Sequence, residues 1–310
     1  MSDNRCGFVA LVGAPNAGKS TLLNSLIGAK VSIVSRKAQT TRATVRGILV
    51  DGATQMIFVD TPGLFAPKRR LDRAMVAAAW GAAGDADAVA LLIDARQETG
   101  AADKRGAAEI GEATQTIMAT LRDHKAPKFL VINKVDLVDR PLLLALAERL
   151  NAALPFADTF MTSALTGDGL DRLKARLAAA MPMGPWLYPE DQIADAPLRA
   201  LAAEITREKL FERLHDELPY QTTVETESWK DQPDGSARIE QTIYVSRDSH
   251  KKIVIGEGGR TIKAIGSAAR KEIAEAHEAP VHLFLFVKVR ENWLDDPERY
   301  RAMGLEFPER

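Results

Sequence analysis

The spacing of apolar and polar positions changes character along this chain. Up to about residue 180, short runs of aliphatic and β-branched residues alternate with longer stretches whose apolar residues recur every three or four positions. CGFVALVG, TQMIFVD, ADAVALLID, KFLVIN and FADTFMTS read as strands, while STLLNSLIG, RAMVAAAWG, EATQTIMATLRDH, RPLLLALAERL and GLDRLKARLAAA read as helices. This alternation predicts an α/β domain with a mostly parallel sheet. ATVRGILV, just before TQMIFVD, predicts one more strand on an antiparallel edge.

The pattern then breaks. Prolines at 182, 185, 189 and 197 exclude a continuous helix through MPMGPWLYPEDQIADAP. Residues 182–197 therefore read as a linker, with one domain over 1–181 and another over 198–310 that ends in a C-terminal tail. The second domain reads as a long helix from Leu198 to about Leu218, two strands around DQPDGS, a glycine-rich turn, a helix, and the strand PVHLFLFVKV. KKIVI, directly before the glycine turn, has the propensity of a strand.

Composition narrows this picture. A chain of 310 residues is long enough for two cores, and 46% hydrophobic with 27% charged residues is ordinary for a globular protein. The formal net charge of −1 means that any nucleic-acid site must be a local patch. One cysteine, Cys6, excludes an intramolecular disulfide and a cysteine-built zinc site, suits a reducing cytosol, and reads as a buried strand residue. No apolar run approaches the ~20 residues that span a bilayer, so a cytoplasmic location is expected, with any membrane contact peripheral. The five histidines show no metal-ligand spacing, and the single Trp and Phe residues read as core rather than as base-stacking platforms.

Candidate chemistry begins at GAPNAGKS, Gly13 to Ser20, which matches the phosphate-loop pattern between a strand and a helix. Gly13, Ala14, Pro15, Asn16, Ala17 and Gly18 would turn backbone N–H groups toward phosphate oxygens. Lys19 would reach the β and γ phosphates, Ser20 would offer a hydroxyl to Mg²⁺, and Thr21 completes the first helical turn. DTPG, Asp60 to Gly63, closes a strand, so Asp60 can support Mg²⁺ while Thr61 and Pro62 lead to a Gly63 N–H facing the γ phosphate. Between these boxes KAQTTRATVRG is polar and aperiodic and reads as a mobile switch, with Thr41 as the Mg²⁺ hydroxyl and Thr40 as the alternative.

NKVD, Asn133 to Asp136, resembles the guanine-specificity box of GTPases. Asp136 would accept guanine N1–H and the 2-amino group, Asn133 and the Lys134 stem would buttress the base, and in SAL, Ser163 to Leu165, the Ala164 N–H would donate to guanine O6. Leu64 stands where Ras-like proteins place a water-orienting glutamine, which predicts slow intrinsic hydrolysis. Asn16 resembles the asparagine of potassium-activated GTPases, which suggests K⁺ across the phosphates. A turn-favoured Asn is the plainer reading.

The second glycine turn, Gly256-Glu257-Gly258-Gly259, precedes a helix with Ile262, Ile265, Ala269 and Ile273 on one side. From Arg247 to Lys271 seven basic residues stand against two acidic ones. This resembles a KH domain, whose GXXG loop clamps about four unpaired nucleotides. Lys252, Gly256, Glu257, Gly258, Gly259, Arg260, Lys263 and Arg270 are then the candidate RNA contacts, and Ile243, Val245, Ile253 and Ile255 a candidate floor for the bases. The resemblance also makes KKIVI a short helix.

SRKAQTTR, REKLFERLHDELPYQTTVETESW, VIGEGGRTIKAIGSAARKEI and VKVRENWLDDPE extend the likeness over nearly the whole chain, which closely resembles the Era family of bacterial GTPases. The fold implied is a P-loop GTPase domain followed by an α+β KH domain of type II. The resemblance implies a monomeric, Mg²⁺-dependent GTPase cycling between GTP and GDP. It also implies an assembly factor for the 30S subunit precursor that binds the 3′ end of 16S rRNA, with loose inner-membrane contact. Glu257 departs from the lysine usual in this family. The competing reading is a membrane-associated regulatory GTPase whose second domain binds protein.

Overall fold

The computed structural model describes residues 4–37, 39–100, 109–291 and 293–308. Ala38 of SRKAQTTR and Asn292 of VKVRENWLDDPE lie outside the described residues. Two compact units emerge. The first holds residues up to Ser32, Thr41–Asp195 and Met303 onward; the second holds Ile33–Thr40 and Ala196–Ala302.

In the first unit β1 (Arg5–Gly13) leads into α1 (Lys19–Ile27), then β2 (Val45–Asp51), β3 (Thr54–Asp60), α2 (Arg70–Gly84) and β4 (Ala88–Asp94). A short α3 (Ala95–Glu98), α4 (Glu112–Leu121), β5 (Lys128–Asn133), α5 (Arg140–Ala153), β6 (Asp158–Thr162) and α6 (Leu170–Ala180) follow. The strand order is β2-β3-β1-β4-β5-β6, parallel except for the β2–β3 hairpin, so ATVRGILV does supply the antiparallel edge.

Near-continuous apolar strands follow from burial on both faces. Val9, Leu11, Phe58, Ala90, Leu92 and Val131 point to α1 and α6, where Leu22, Leu23, Leu173 and Leu177 meet them. The alternate positions Ala10, Val12, Val89, Leu91, Leu130 and Ile132 meet α2, α4 and α5 through Ala79, Ala83, Ile117, Leu121, Leu143 and Leu146. Helices on both faces leave the strand C-termini, where all the nucleotide boxes lie, as a common rim.

The proline-rich stretch is laid along this unit as far as Asp195. Ile48 N donates to Ile193 O (2.9 Å). Gln55 Oε1 accepts from Leu187 N (2.9 Å) and Tyr188 N (3.1 Å), while its amide donates to Tyr188 O (2.8 Å). Expected as a spacer, it caps the open edge of β2 and the buried Gln55 instead. The residues from Met303 group with this unit too, and Arg70 lies over the Phe307 ring (4.8 Å).

The second unit runs α7 (Leu198–Arg213), β7 (Thr222–Asp231), β8 (Ala237–Val245), α8 (Asp248–Ile255), α9 (Arg260–His277), β9 (Val281–Val289) and α10 (Pro297–Ala302). β7 and β8 are antiparallel, β8 and β9 parallel, in the order β7-β8-β9. This is the type II KH arrangement. KKIVI is helical within α8, against its strand propensity: Val254 is fully buried among Leu210, Ile243 and Ile265, and tertiary packing overrides a weak local preference. Ile265, Ala269 and Ile273 form the buried side of α9.

Candidate functional site

β1 and β3 pair in parallel with Leu11 opposite Asp60, so the phosphate loop and DTPG leave the sheet side by side. Thr61 Oγ1 donates to Leu11 O (2.8 Å) and Leu64 N to Gly13 O (3.0 Å), which ties DTPG to the loop. A Cβ on Gly63 would come within 2.8 Å of the Pro15 backbone, so only glycine fits that approach. Leu64 is buried in the core beside α2 and presents no polar group to the rim.

Lys19 is buried and donates to Gly13 O (3.1 Å) and Ala14 O (3.0 Å), which holds its ammonium in the mouth of the loop. Burial lowers its pKa to about 8, more than the nearby Asp60 charge raises it. Asp60 is fully buried, and burial raises its pKa; hydrogen bonds and Lys19 counter this in part. Its Oδ2 accepts from Ser20 Oγ (2.6 Å) and Ser32 Oγ (2.8 Å), while its Oδ1 is buried without a hydrogen-bond partner. Thr41 Oγ1 lies 3.1 Å from Ser20 Oγ. A hard divalent cation suits this set of oxygens, one of them an unsatisfied carboxylate oxygen, better than any soft metal.

The expected switch is divided between the units after Thr40. Thr40 Oγ1 contacts Ser35 Oγ (2.6 Å) and Lys37 O (2.8 Å), and its carbonyl accepts from Arg207 Nη2 (2.5 Å). Lys37 Nζ donates to Leu214 O (2.8 Å) and to Phe211 O, at the C-terminal end of α7. Of the two threonines, Thr41 is the one placed beside Ser20. Ser32 was not foreseen; a serine without a surrounding motif gave no signal.

At the other end of the rim Asn133 is buried. Its amide donates to Ala17 O (2.9 Å) and its Oδ1 accepts from Ala164 N (2.9 Å) and Thr162 Oγ1 (3.3 Å). The Ala164 N–H, expected to point at guanine O6, is thus engaged by Asn133; the next N–H belongs to Leu165, an exposed residue. Lys134 has a left-handed backbone (φ 64°), and its ammonium bridges Asp94 Oδ2 (2.6 Å) and Asn16 O (2.7 Å). Its stem therefore crosses from NKVD to the phosphate loop. Asp94, also missed, is visible only once β4 is known to end beside β5. Asp136 is exposed in a 3₁₀ turn, and Ser163 Oγ accepts from Thr166 N (3.3 Å). Asn16 is exposed with φ 63°, which fits the turn preference of asparagine.

In the second unit Gly256 (φ 72°) and Gly259 (φ 77°) turn the chain from α8 into α9. A Cβ on Gly256 would strike Thr261 Oγ1 at 2.2 Å. Lys252, Arg260 and Lys263 are exposed around this turn, and Arg270 is exposed about three turns further along α9. Glu257 is exposed and ion-paired with Arg260. Ile243 and Val245 are wholly buried core residues, so the proposed floor loses them; Ile255 is half-buried, and Ile253 is open to solvent.

A phosphate loop, a DTPG box and a guanine box on one rim, joined to a KH unit, define a GTPase with a nucleic-acid-binding type of second domain. Family profiles agree: one described as "50S ribosome-binding GTPase" matches residues 8–134, and one described as "KH domain" matches 217–294. The chain is 66% identical over 304 residues to GTPase Era of Afipia carboxidovorans, covering 98% of this chain and 95% of that one. It is 60% identical to GTPase Era of Brucella suis, covering 99% and 95%. An Era structure in complex with MgGDPNP and nucleotides 1506–1542 of 16S ribosomal RNA superposes with TM-score 0.88 at 36% identity over 97% of this chain and 99% of that one. An Aquifex aeolicus Era variant bound to GDP and AlF4⁻ gives 0.87, also at 36% identity, over 97% and 99%. The chain belongs to the Era family and is a GTPase that converts GTP to GDP and phosphate.

The depressed Lys19 pKa makes nucleotide binding proton-linked. Between about 8 and 10.5 the free site has lost the lysine proton that a polyphosphate restores, so binding takes up a proton and weakens as pH rises. Calorimetry in two buffers of different ionisation enthalpy should give uptake of about 0.9 proton at pH about 9. Zero uptake there would mean Lys19 is already charged. The unfolded chain keeps this proton in the same window, so the same shift adds to fold stability as pH rises through it.

Proposed function

We propose that this chain is a GTP-switched assembly factor for the small ribosomal subunit, whose KH unit holds the single-stranded 3′ end of 16S rRNA. The carrying observation is the Gly256–Gly259 turn with the exposed cations Lys252, Arg260 and Lys263 around it and Arg270 further along α9. A relative of the same architecture, described with nucleotides 1506–1542 of 16S rRNA, supports the choice of RNA. Backbone N–H groups and cations at such a turn grip phosphates, while the bases remain open to reading.

In the first unit Lys19 carries positive charge to the β and γ phosphates, and the Gly63 N–H faces the γ phosphate. Ser20, Thr41 and Asp60 would hold Mg²⁺, which would supply positive charge to the phosphates. Asp136 selects guanine, and the Leu165 N–H takes the role of O6 donor, because the Ala164 N–H is engaged by Asn133. With Leu64 turned into the core, no side chain there orients the attacking water, and intrinsic hydrolysis is slow. Asn16 would hold a K⁺ ion, which would supply the missing positive charge. The protein acts as a monomer in the cytoplasm with only peripheral contact at the inner membrane. Among the described residues no helix is long and apolar enough to cross a membrane.

RNA matching the 3′ end of 16S rRNA should bind more tightly to the GDPNP-loaded protein than to the GDP-loaded one, and a scrambled RNA should bind weakly to both. Equal affinity for the two RNAs would remove the ribosomal role and leave the GTPase intact. Glu257→Lys should tighten this binding. It adds a cation and frees Arg260, so the slope of log K against log salt steepens by up to about 1.4, at ~0.7 per single-strand phosphate. An unchanged slope would place residue 257 away from the RNA backbone. Asn16→Ala should abolish any advantage of K⁺ over Na⁺ in GTP turnover; the same advantage in variant and parent would take Asn16 out of the ion's shell.

A further inference from the structure

The helices α7, α8 and α9 cover one face of the β7-β8-β9 sheet, where Ile239, Ile243 and Val245 are buried and Leu283, Leu285 and Val287 pack beside them. The other face is only partly covered. On the β7 and β8 side the C-terminal segment lies over it: Arg299 pairs with Glu225 and sits above the Tyr244 ring (4.5 Å). Along the edge strand β9, His282, Phe284, Phe286 and Lys288 alternate outward, all exposed, and Phe284 and Phe286 remain 41% and 49% exposed. A Phe at a solvent-facing strand position is unremarkable singly, but two at successive outward positions form a contiguous apolar patch. The sequence reading of these rings as core is corrected here.

We propose that Phe284 and Phe286 form a base-stacking platform for single-stranded RNA that extends the path beyond the GXXG turn. The proposal rests on the RNA reading above and adds a second surface to it. Three features favour a nucleic-acid strand as the occupant. The first is charge. Arg238 lies over the Phe284 ring (4.4 Å), and His282 and Lys288 flank the two rings. The acidic groups of this face are already engaged, Glu240 by Arg238 (2.8 Å), Glu225 by Arg299 and Glu227 by the Tyr244 hydroxyl (3.0 Å). Cations around aromatic rings suit bases joined by phosphates.

The second feature is spacing. Outward positions two residues apart on a strand lie ~6.6 Å apart, about two base-stacking distances of ~3.4 Å, so the rings can receive successive splayed bases. The third is continuity. β9 is an edge strand of the sheet, and α8 and α9, which flank the turn, both pack on it. RNA leaving a clamp that holds about four nucleotides meets the edge of β9 first and the two rings just beyond it.

The test compares a four-nucleotide RNA with a 12-nucleotide RNA containing it, by fluorescence anisotropy on the full-length GDPNP-loaded protein. Phe286→Ala and Phe284→Ala should weaken the long RNA by at least about five-fold each and leave the short one unchanged. Phe286→Trp should restore the parent affinity, which a merely structural role for the ring would not require. Both side chains are exposed, so the alanine variants should keep the parent circular dichroism. Undiminished affinity for the long RNA in both alanine variants overturns the proposal and points to a protein partner for this face. Equal affinity of the parent for the two lengths overturns it while leaving the GXXG site in place. Failure of the parent to bind either RNA removes the RNA reading and this proposal together.

Discussion

The nucleotide rim depends on the side chain of Asn133. One buried carboxamide spans three loops that are remote in sequence, donating to Ala17 of the phosphate loop and accepting from Ala164 and Thr162 at the end of β6. Ala17 O and Ala164 N are buried backbone groups, and leaving such a group unpaired costs about 1–3 kcal/mol. The constraint also reaches Gly18, where a Cβ would lie 2.2 Å from Asn133 Nδ2. Part of what reads in sequence as a phosphate motif is therefore a packing requirement of the guanine box. Lys134 adds a second tie by joining Asp94 and Asn16 O, so the base site and the phosphate site form one rigid piece.

The phosphate end is arranged differently. Lys19 and Asp60 are buried charges, and both are held against their preferred ionisation by the loss of water. Hydrogen bonds from Ser20 and Ser32 satisfy one carboxylate oxygen and leave the other bare. A polyphosphate with a divalent ion answers both deficits, because it supplies anions to the lysine and a cation to the carboxylate. Binding energy here comes from relieving desolvation already incurred in folding, as expected of a site built before its ligand arrives.

Much of this was legible in sequence, and the misses have a common cause. Motifs whose geometry is local, such as the phosphate loop or the DTPG turn, specify their own backbone and were read residue by residue. Contacts fixed only by strand order were not: Asp94 becomes a partner of Lys134 because β4 lies beside β5, and Ser32 reaches Asp60 through a loop without periodicity. The proline stretch was read correctly as non-helical, but proline content does not reveal that Gln55 would bind its backbone. Propensity alone reads KKIVI as a strand, but its strand-like residues are claimed by a helical core around Val254, and the resemblance to KH domains gives the helix correctly. Phe284 and Phe286 were misjudged for the opposite reason, since alternation predicts two faces without saying which one is left uncovered.

The two glycine turns answer to different physical demands. At the phosphate end, Gly18 of the loop and Gly63 of DTPG make room for neighbouring protein atoms, and the cation of Lys19 is buried and bonded to the loop itself. Such a site is matched to one small, multiply charged ligand and tolerates little change. The turn at Gly256 to Gly259 makes room too, at Thr261, but its cations stay in water and one of them is paired only with Glu257. Exposed charges give an attraction that is screened by salt and tolerant of position. They suit a polymer that must be captured, shifted and released. Selectivity for that polymer must then come from apolar surface beside the charges, and Ile253 and the outer face of β9 are where this unit leaves such surface open.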